Sequence, residues 1–427
     1  MSTKYQFTTE NKTWQLPMIA GVGLLLVSGI YGVIAGDMHG FWASYHVGFL
    51  FTLGITIGAL FLVMIMTIAK AHWHIVIRRF HETIAWSFPV LALAGLPMVI
   101  LLFTSDHHPL FEWAHKDVVA KDLILQGKSG YLNPTFFAIR YVIYFFVWSW
   151  LAFRLHKLST QEDENPDPSN LSIGPLTRLG LKLHIAGTGE ALENRLEYFQ
   201  LRRLTSAWGI PISALCVAFA SFDFLMSLQP HWFSTIFGVN FFIGGWVTSH
   251  AVLLLVALYF VRNGKLADVI SDEHFHDMGK LMFAFTVFWA YIGVSQALLY
   301  WYANLPEETI FYKVRFESGW LGWSWFLLFG HFVMPFLLLI GRAIKRRKEA
   351  LAAMAVWFLI IHFADLYWNA MPALYKTGPH YSILDLTCWL GFVFFFVGLF
   401  FYKIRQHSLV PYNDIYFQKS LHFHQSF

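Results

Sequence analysis

Of the 427 residues, 57% are hydrophobic, 19% aromatic and only 13% charged, against about 25% charged in an ordinary soluble chain. That balance excludes a disordered chain and a typical cytosolic protein. The formal charge of +4 excludes little, because in membrane proteins the placement of Lys and Arg matters more than their sum. The only two cysteines, Cys216 and Cys388, lie in apolar runs, and no CxxC or CxxCH occurs. The chain alone is therefore expected to hold no iron–sulfur cluster, covalent c-type haem or Cys-based zinc site, and no other metal site is expected.

In chain order, apolar runs of the length needed to cross a bilayer, roughly 20 residues, fall at about 15–36, 40–68, 82–104, 134–155, 205–226, 236–261, 280–301, 319–341, 349–370 and 381–402. They predict an all-α integral membrane protein with ten transmembrane helices. The first run follows Lys4 and Lys12 and is succeeded at once by a second long run, so an uncleaved helix is expected rather than a signal peptide. With the N-terminus placed inside, 23 of the 30 Lys and Arg residues lie in inside segments, six lie outside, and Arg140 is left within a span. That bias predicts both termini on the inside, cytoplasmic face.

The longest inside loop, at about 156–204, opens with the polar run Gln161 to Asn170, including Glu162, Asp163, Glu164 and Asp167, and reads as a solvated connector. Further on, Leu192, Leu196 and Phe199 recur at helical spacing beside Arg195, Arg202 and Arg203, which predicts an amphipathic helix on the membrane surface. The outside loops at about 105–133 and 302–318 are long enough to dock an external partner. Phe80-His81-Glu82 and Phe275-His276-Asp277 each follow a basic inside loop at an offset of 195 residues. The echo suggests a parallel repeat of four-helix units, helices 2–5 (40–226) and 6–9 (236–370), flanked by helices 1 and 10. Chance recurrence of a helix-start pattern accounts for it equally well.

A titratable side chain inside hydrocarbon costs on the order of a few kcal/mol, so each needs a partner, water or a task. Arg140 lies six residues into span 4, about 9 Å deep at 1.5 Å per residue. Asp223 falls near the outer end of span 5, His46 in the outer third of span 2, and Asp37 and Asp385 near outer span ends. His250 and His331 fall near mid-membrane, and His362, Asp365 and Asn369 recur at i, i+3 and i+7 on one face of span 9. Carboxylates thus populate the outer half, which favours an outward-facing site or half-channel over a complete proton wire. Plainer readings stand beside this: helix caps for Asp37 and Asp385, a structural ion pair for Arg140 and Asp223, and interhelical hydrogen bonds for His46 and His250. The span 9 stripe resists such a reading, because three aligned polar groups are costly without water or a ligand. Trp320, Trp323 and Trp325, and Trp301 with Tyr300 and Tyr302, sit where an interfacial aromatic belt is expected. A quinone ring also favours an aromatic slot with a few polar groups.

The segment Ser221-Phe222-Asp223-Phe224-Leu225-Met226-Ser227-Leu228-Gln229-Pro230-His231-Trp232-Phe233-Ser234-Thr235-Ile236-Phe237-Gly238 resembles the signature after the fifth helix in NrfD/polysulfide-reductase-type membrane subunits of alternative complex III. The ten spans, the long loop between spans 4 and 5 and the start Phe80-His81-Glu82 agree with that family, and with the second of its two such subunits, the ActF type. The resemblance implies a respiratory quinol:electron acceptor oxidoreductase complex in the bacterial inner membrane. Its partners would be a homologous NrfD-like membrane subunit, a periplasmic iron–sulfur subunit, multihaem and monohaem cytochrome c subunits, small membrane subunits and a terminal oxidase, in a lipid bilayer and without nucleic acid. Haems and iron–sulfur clusters would belong to those partners, and a quinone, menaquinone or ubiquinone, would be the ligand of this chain.

Quinol oxidation releases two electrons and two protons, so a site needs a proton acceptor within reach of each hydroxyl. His362, Asp365, Asp223 and His46 are the expected bases or relays, with Arg140, His331, Asn369 and His250 lining a cavity. The alternatives are a scaffold that anchors electron-transfer subunits without chemistry of its own, a b-type cytochrome using His46, His250, His331 or His362, and a secondary transporter. No helix carries the paired histidines of dihaem cytochrome b helices, and no span is plainly broken by Gly and Pro at matching mid-depth positions.

Overall fold

Apolar segments in a bilayer can satisfy their backbone groups internally only as helices or closed barrels. A computed structural model of the chain describes residues 5–7, 12–164 and 190–424, and among them ten helices are long and apolar enough to cross a membrane. Spans 1 to 10 are Lys12–Ile34, Met38–Ile68, His72–Thr104, Pro134–Glu164, Arg195–Leu228, Phe237–Arg262, Asp272–Ala303, Leu321–Leu339, Lys348–Leu374 and Ile383–Ile404. The protein is thus an all-α, multi-pass membrane protein. The two terminal segments meet at one end, here the N end, where the Leu409 N–H donates to the Tyr5 carbonyl at 2.9 Å.

Span 2 is the axis, with 89% of its apolar window buried, and it packs on spans 5, 6, 9 and 10. Spans 2–5 pack among themselves, as do spans 6–9, while span 1 lies along span 10. The two sets meet where glycines remove the side chains between backbones. A Cβ on Gly245 of span 6 would fall 2.4 Å from the Gly54 carbonyl oxygen, and one on Gly58 would fall 2.6 Å from that of Gly245. Gly54 and Gly58 form a GxxxG pattern, the small-residue spacing that lets membrane helices approach closely.

Two spans are interrupted, at positions that do not correspond between the two sets. Span 3 breaks at Trp86–Ser87 between helices Ile75–Ala85 and Phe88–Thr104. Span 8 passes through a π-helical turn at Leu328–Val333. There Pro335 has no N–H to give to the Gly330 carbonyl, and the Trp357 indole N–H takes that carbonyl at 2.7 Å.

At the N end the structure corrects two expectations. The acidic run is not a solvated connector through Asp163: span 4 continues to Glu164, and Glu162 and Asp163 are buried. Nor do Leu196 and Phe199 belong to a separate surface helix, because Glu190–Phe224 is one continuous helix whose Phe199 and Arg202 point inward. Asp167, Arg178, Lys182 and the Leu192 side chain lie outside the described residues. The reason for both differences is charge neutralisation. Arg202 pairs with Glu162 at 2.5 Å and with Asp414 at 2.7 Å, while Arg78 pairs with Asp414 at 2.6 Å and Glu82 at 2.9 Å. Arg79 pairs with Asp163 at 2.7 Å. Asp414 comes from the segment after span 10, whose Tyr412 hydroxyl donates to the Asp163 carbonyl at 2.9 Å. Burial opposes ionisation of Asp414, yet Arg78 and Arg202 beside it hold its carboxyl below the ordinary carboxylate range.

Two outcomes test these contacts. Gly245→Val should destabilise the protein by at least about 3 kcal/mol, since backbone on both sides prevents relaxation, whereas Gly293→Ala, whose Cβ would meet open space, should be neutral or stabilising in a thermal melt. Asp414→Asn should cost about 3 kcal/mol by leaving two buried guanidinium groups short of charge and should expose the 405–424 segment to proteolysis at neutral pH. Because the folded-state pKa is depressed, that stabilisation is complete above about pH 4, the unfolded value, and fades as pH falls below it.

Candidate functional site

The stripe on span 9 is buried as a unit: His362, Asp365 and Asn369 are 1%, 3% and 6% exposed. The Asn369 amide N–H group donates to Asp365 Oδ1 at 3.1 Å and to the Asp365 carbonyl at 2.8 Å, which leaves Asn369 Oδ1 without a partner. Asp365 and Asn369 open onto a cavity of about 300 Å³ between spans 6, 7, 8 and 9 at the end away from the termini. Its walls include Phe237, Trp289, Phe311, Trp325 and Trp368, with Asn240, Gln296 and Ser324 as further polar groups. The Trp289 N–H lies near Asp365 outside hydrogen-bond geometry and is unclaimed. The chamber wall therefore carries a carboxylate, an amide whose buried oxygen is unpartnered and an indole whose buried N–H is unpartnered, a set of groups suited to a flat ligand bearing oxygens.

His362 lies behind this wall, one turn from Asp365. Its Nδ1 is 3.8 Å from Asp365 Oδ2, and both ring nitrogens lack hydrogen-bond partners. The glycine contact of spans 2 and 6 makes its room, since a Cβ on Gly244 would sit 2.6 Å from His362 Cε1 and one on Gly54 3.5 Å from Nε2. His331, carried by the π-helical turn, stacks on Trp289 with ring centroids 3.9 Å apart. Placement of both imidazoles thus depends on local backbone features as well as on helix periodicity.

The other candidates lie apart from this cavity. Asp223 is held by Arg140 through two bonds of 2.8 and 2.7 Å and accepts from the Tyr144 hydroxyl at 2.8 Å. Arg140 also stacks on Tyr131 and Phe136. With its oxygens so engaged, Asp223 is suited to fixing span 4 to span 5. His46 donates from Nε2 to the Phe224 carbonyl at 2.7 Å, tying span 2 to the same motif. Asp37 and Asp385 cap helices, accepting from Gly40 N at 2.9 Å and Ser382 N at 3.1 Å. The rest of the 221–238 segment anchors the far-end loops: His231 bonds Asp122 at 2.6 Å, and Trp232 stacks on Phe311 at 4.2 Å while donating to the Glu308 carbonyl.

His250 donates from Nδ1 to the Trp246 carbonyl, and its Nε2 is open. Its ring centroid is 6.3 Å from that of His81, which in turn bonds His74 at 3.0 Å through Nδ1. His74 and His81 are not predicted by a search for buried carboxylates, so the sequence pattern understates the polarity of the N-end half. Trp289 and Arg315 are likewise missed: nothing distinguishes Trp289 among 18 tryptophans, and Arg315 reads as an outside-loop cation. Pro372 in span 9 was the available signal for Arg315, as its missing N–H frees the Trp368 carbonyl that Arg315 Nε reaches at 3.2 Å. Trp320, expected in the aromatic belt, is instead fully buried and donates to the Tyr375 carbonyl at 2.8 Å, while Trp301 and Tyr302 do lie exposed.

No protein-family profile matches the chain, and no curated protein matches it. If Asp223 is structural, Asp223→Asn should reduce the amount of folded protein recovered, by about 3 kcal/mol of lost stability, without altering ligand binding per folded molecule; a binding defect at normal stability would assign it a place in the site.

Proposed function

We propose that this chain is an integral membrane subunit of a respiratory quinol:electron acceptor oxidoreductase of the alternative complex III type, and that its span 6–9 cavity takes a quinone-type headgroup. The observation that carries the reading is the Asp365–Asn369 pair, with an open amide oxygen, at the wall of an aromatic chamber. The resemblance of the 221–238 segment is what supports the complex, its haem- and iron–sulfur-bearing partners and the bacterial inner membrane as parts of this reading. The Lys and Arg bias supports an orientation with both termini in the cytoplasm and the cavity in the periplasmic half.

In this mechanism the Asp365 carboxylate accepts a hydroxyl proton and Asn369 Oδ1 accepts a hydrogen bond from the same side of the headgroup. The Trp289 N–H, beside Asp365, serves the same end of the headgroup as a donor, and the aromatic walls exclude water, which strengthens each of these interactions. A bound quinol would supply the two electrons, which the cofactors of partner subunits receive. His362, with both nitrogens open beside Asp365, is placed to take a proton onward, so a proton half-channel starting at the same carboxylate is the second reading. His46, with both ring nitrogens engaged, lends a haem-ligating role little support.

In the assembled complex, Asp365→Asn should lower quinol oxidation at least about tenfold, as expected for loss of a general base. Gly293→Trp should fill the cavity, since a Cβ at Gly293 meets open space, and should abolish quinone binding without loss of assembly. Normal turnover per assembled complex in both variants would overturn this reading in favour of a scaffold.

A further inference from the structure

Arg315, on the short helix Pro306–Phe316 at the far end, is fully buried, and no carboxylate among the described residues lies within ion-pair distance of it. Its guanidinium donates only to carbonyls, those of Phe311 at 2.8 Å, Asn369 at 2.9 Å and Trp368 at 3.2 Å. It lies 3.4 Å from the centre of the Phe311 ring and 4.8 Å from that of Trp368. Both rings, with Asn369 and Tyr312, line the cavity that holds Asp365. Burial pushes the Arg315 pKa down to about 9, which still leaves the group protonated at neutral pH.

A cation thus stands about one aromatic ring from the cavity without a compensating charge. Carbonyl dipoles and ring faces offset part of the desolvation cost, but a full countercharge offsets more. The charged or titratable groups around the chamber are Asp365 on span 9 and Tyr312 on the same short helix as Arg315; Asn240, Gln296 and Ser324 are neutral. The chamber therefore holds a proton-accepting carboxylate on span 9 and, behind the Phe311 and Trp368 rings, a positive field. Resting on the quinone-slot reading, we propose that Arg315 makes this cavity prefer the anionic, deprotonated form of a hydroxylated quinone-type ring over a neutral ring of the same shape. Arg315 acts through its field and by holding the Pro372 end of span 9, and is a positioning and selectivity residue rather than a base.

The test uses the full-length protein in detergent and quenching of its tryptophan fluorescence by two probes of similar shape. One is lawsone, a hydroxynaphthoquinone that is an anion at neutral pH, and the other is menadione, its neutral methyl counterpart. The wild type should bind lawsone about tenfold more tightly, the scale of one unit charge acting across a low-dielectric gap. Arg315→Lys should keep most of that preference, and Arg315→Gln should weaken lawsone about tenfold while leaving menadione nearly unchanged. Should Arg315→Gln fail to fold, the wild-type comparison and Arg315→Lys still decide. Equal affinity for both probes in the wild type, or an unchanged preference in folded Arg315→Gln, would overturn the Arg315 inference; menadione binding that Gly293→Trp abolishes would leave the slot reading standing. Failure of both probes to bind would overturn the two together.

Discussion

The close approach of spans 2 and 6 at Gly54, Gly58 and Gly245 is the contact on which the rest of the molecule depends. In lipid, helices gain nothing from hiding apolar surface from one another, so association rests on packing and on backbone approach. With no side chains between them, these two spans bring their two sets of helices together along a common axis. The same approach leaves a recess against Gly54 and Gly244 that admits the His362 ring. A packing rule and a candidate chemical group thus share one origin.

Buried charge is handled in two ways, and the far end holds both, since Arg140 and Asp223 are paired there. At the N end, Arg78, Arg79 and Arg202 interlock with Glu82, Glu162, Asp163 and Asp414 through direct bonds. At the far end, Asp365 and Arg315 each lack an ionic partner of opposite sign from Lys, Arg or a carboxylate. Paired charge of the first kind fixes geometry but has little left to offer a ligand. Asp365 and Arg315, together with the unpartnered atoms of Asn369 and Trp289, retain unspent polarity, and they do so around a chamber that Asp365 and Asn369 of span 9 help to line.

The fold was largely legible in the sequence because apolar run length is a direct physical requirement of the bilayer, and ten runs became ten spans. The span 9 stripe was legible for the same kind of reason: i, i+3 and i+7 spacing fixes a shared face regardless of tertiary context. What was not legible depended on partners distant in the chain. Glu162 and Asp163 look solvated until Arg202, Arg79 and the segment after span 10 are brought to them. For Asp223 and His46 the plainer readings, an ion pair with Arg140 and an interhelical hydrogen bond, were legible, but the Tyr144 hydroxyl and the Phe224 carbonyl as partners were not. His74 and His81 were not weighed as buried groups because the expected third span starts at 82 and leaves both in the preceding inside loop, and Arg315 because it reads as an outside-loop cation.

The position of Asp414 in the chain bears on the order in which the protein can be finished. Arg78 belongs to the third span to be synthesised and Arg202 to the fifth, yet the carboxylate that bridges them follows the tenth. Through the insertion of five further helices those guanidinium groups have Glu82 and Glu162 as countercharges but lack the carboxylate that they share. The earliest helices of the chain therefore acquire their final internal structure last, when the segment after span 10 closes beneath them, and a nascent chain stalled short of Asp414 would have its membrane topology without a settled N end.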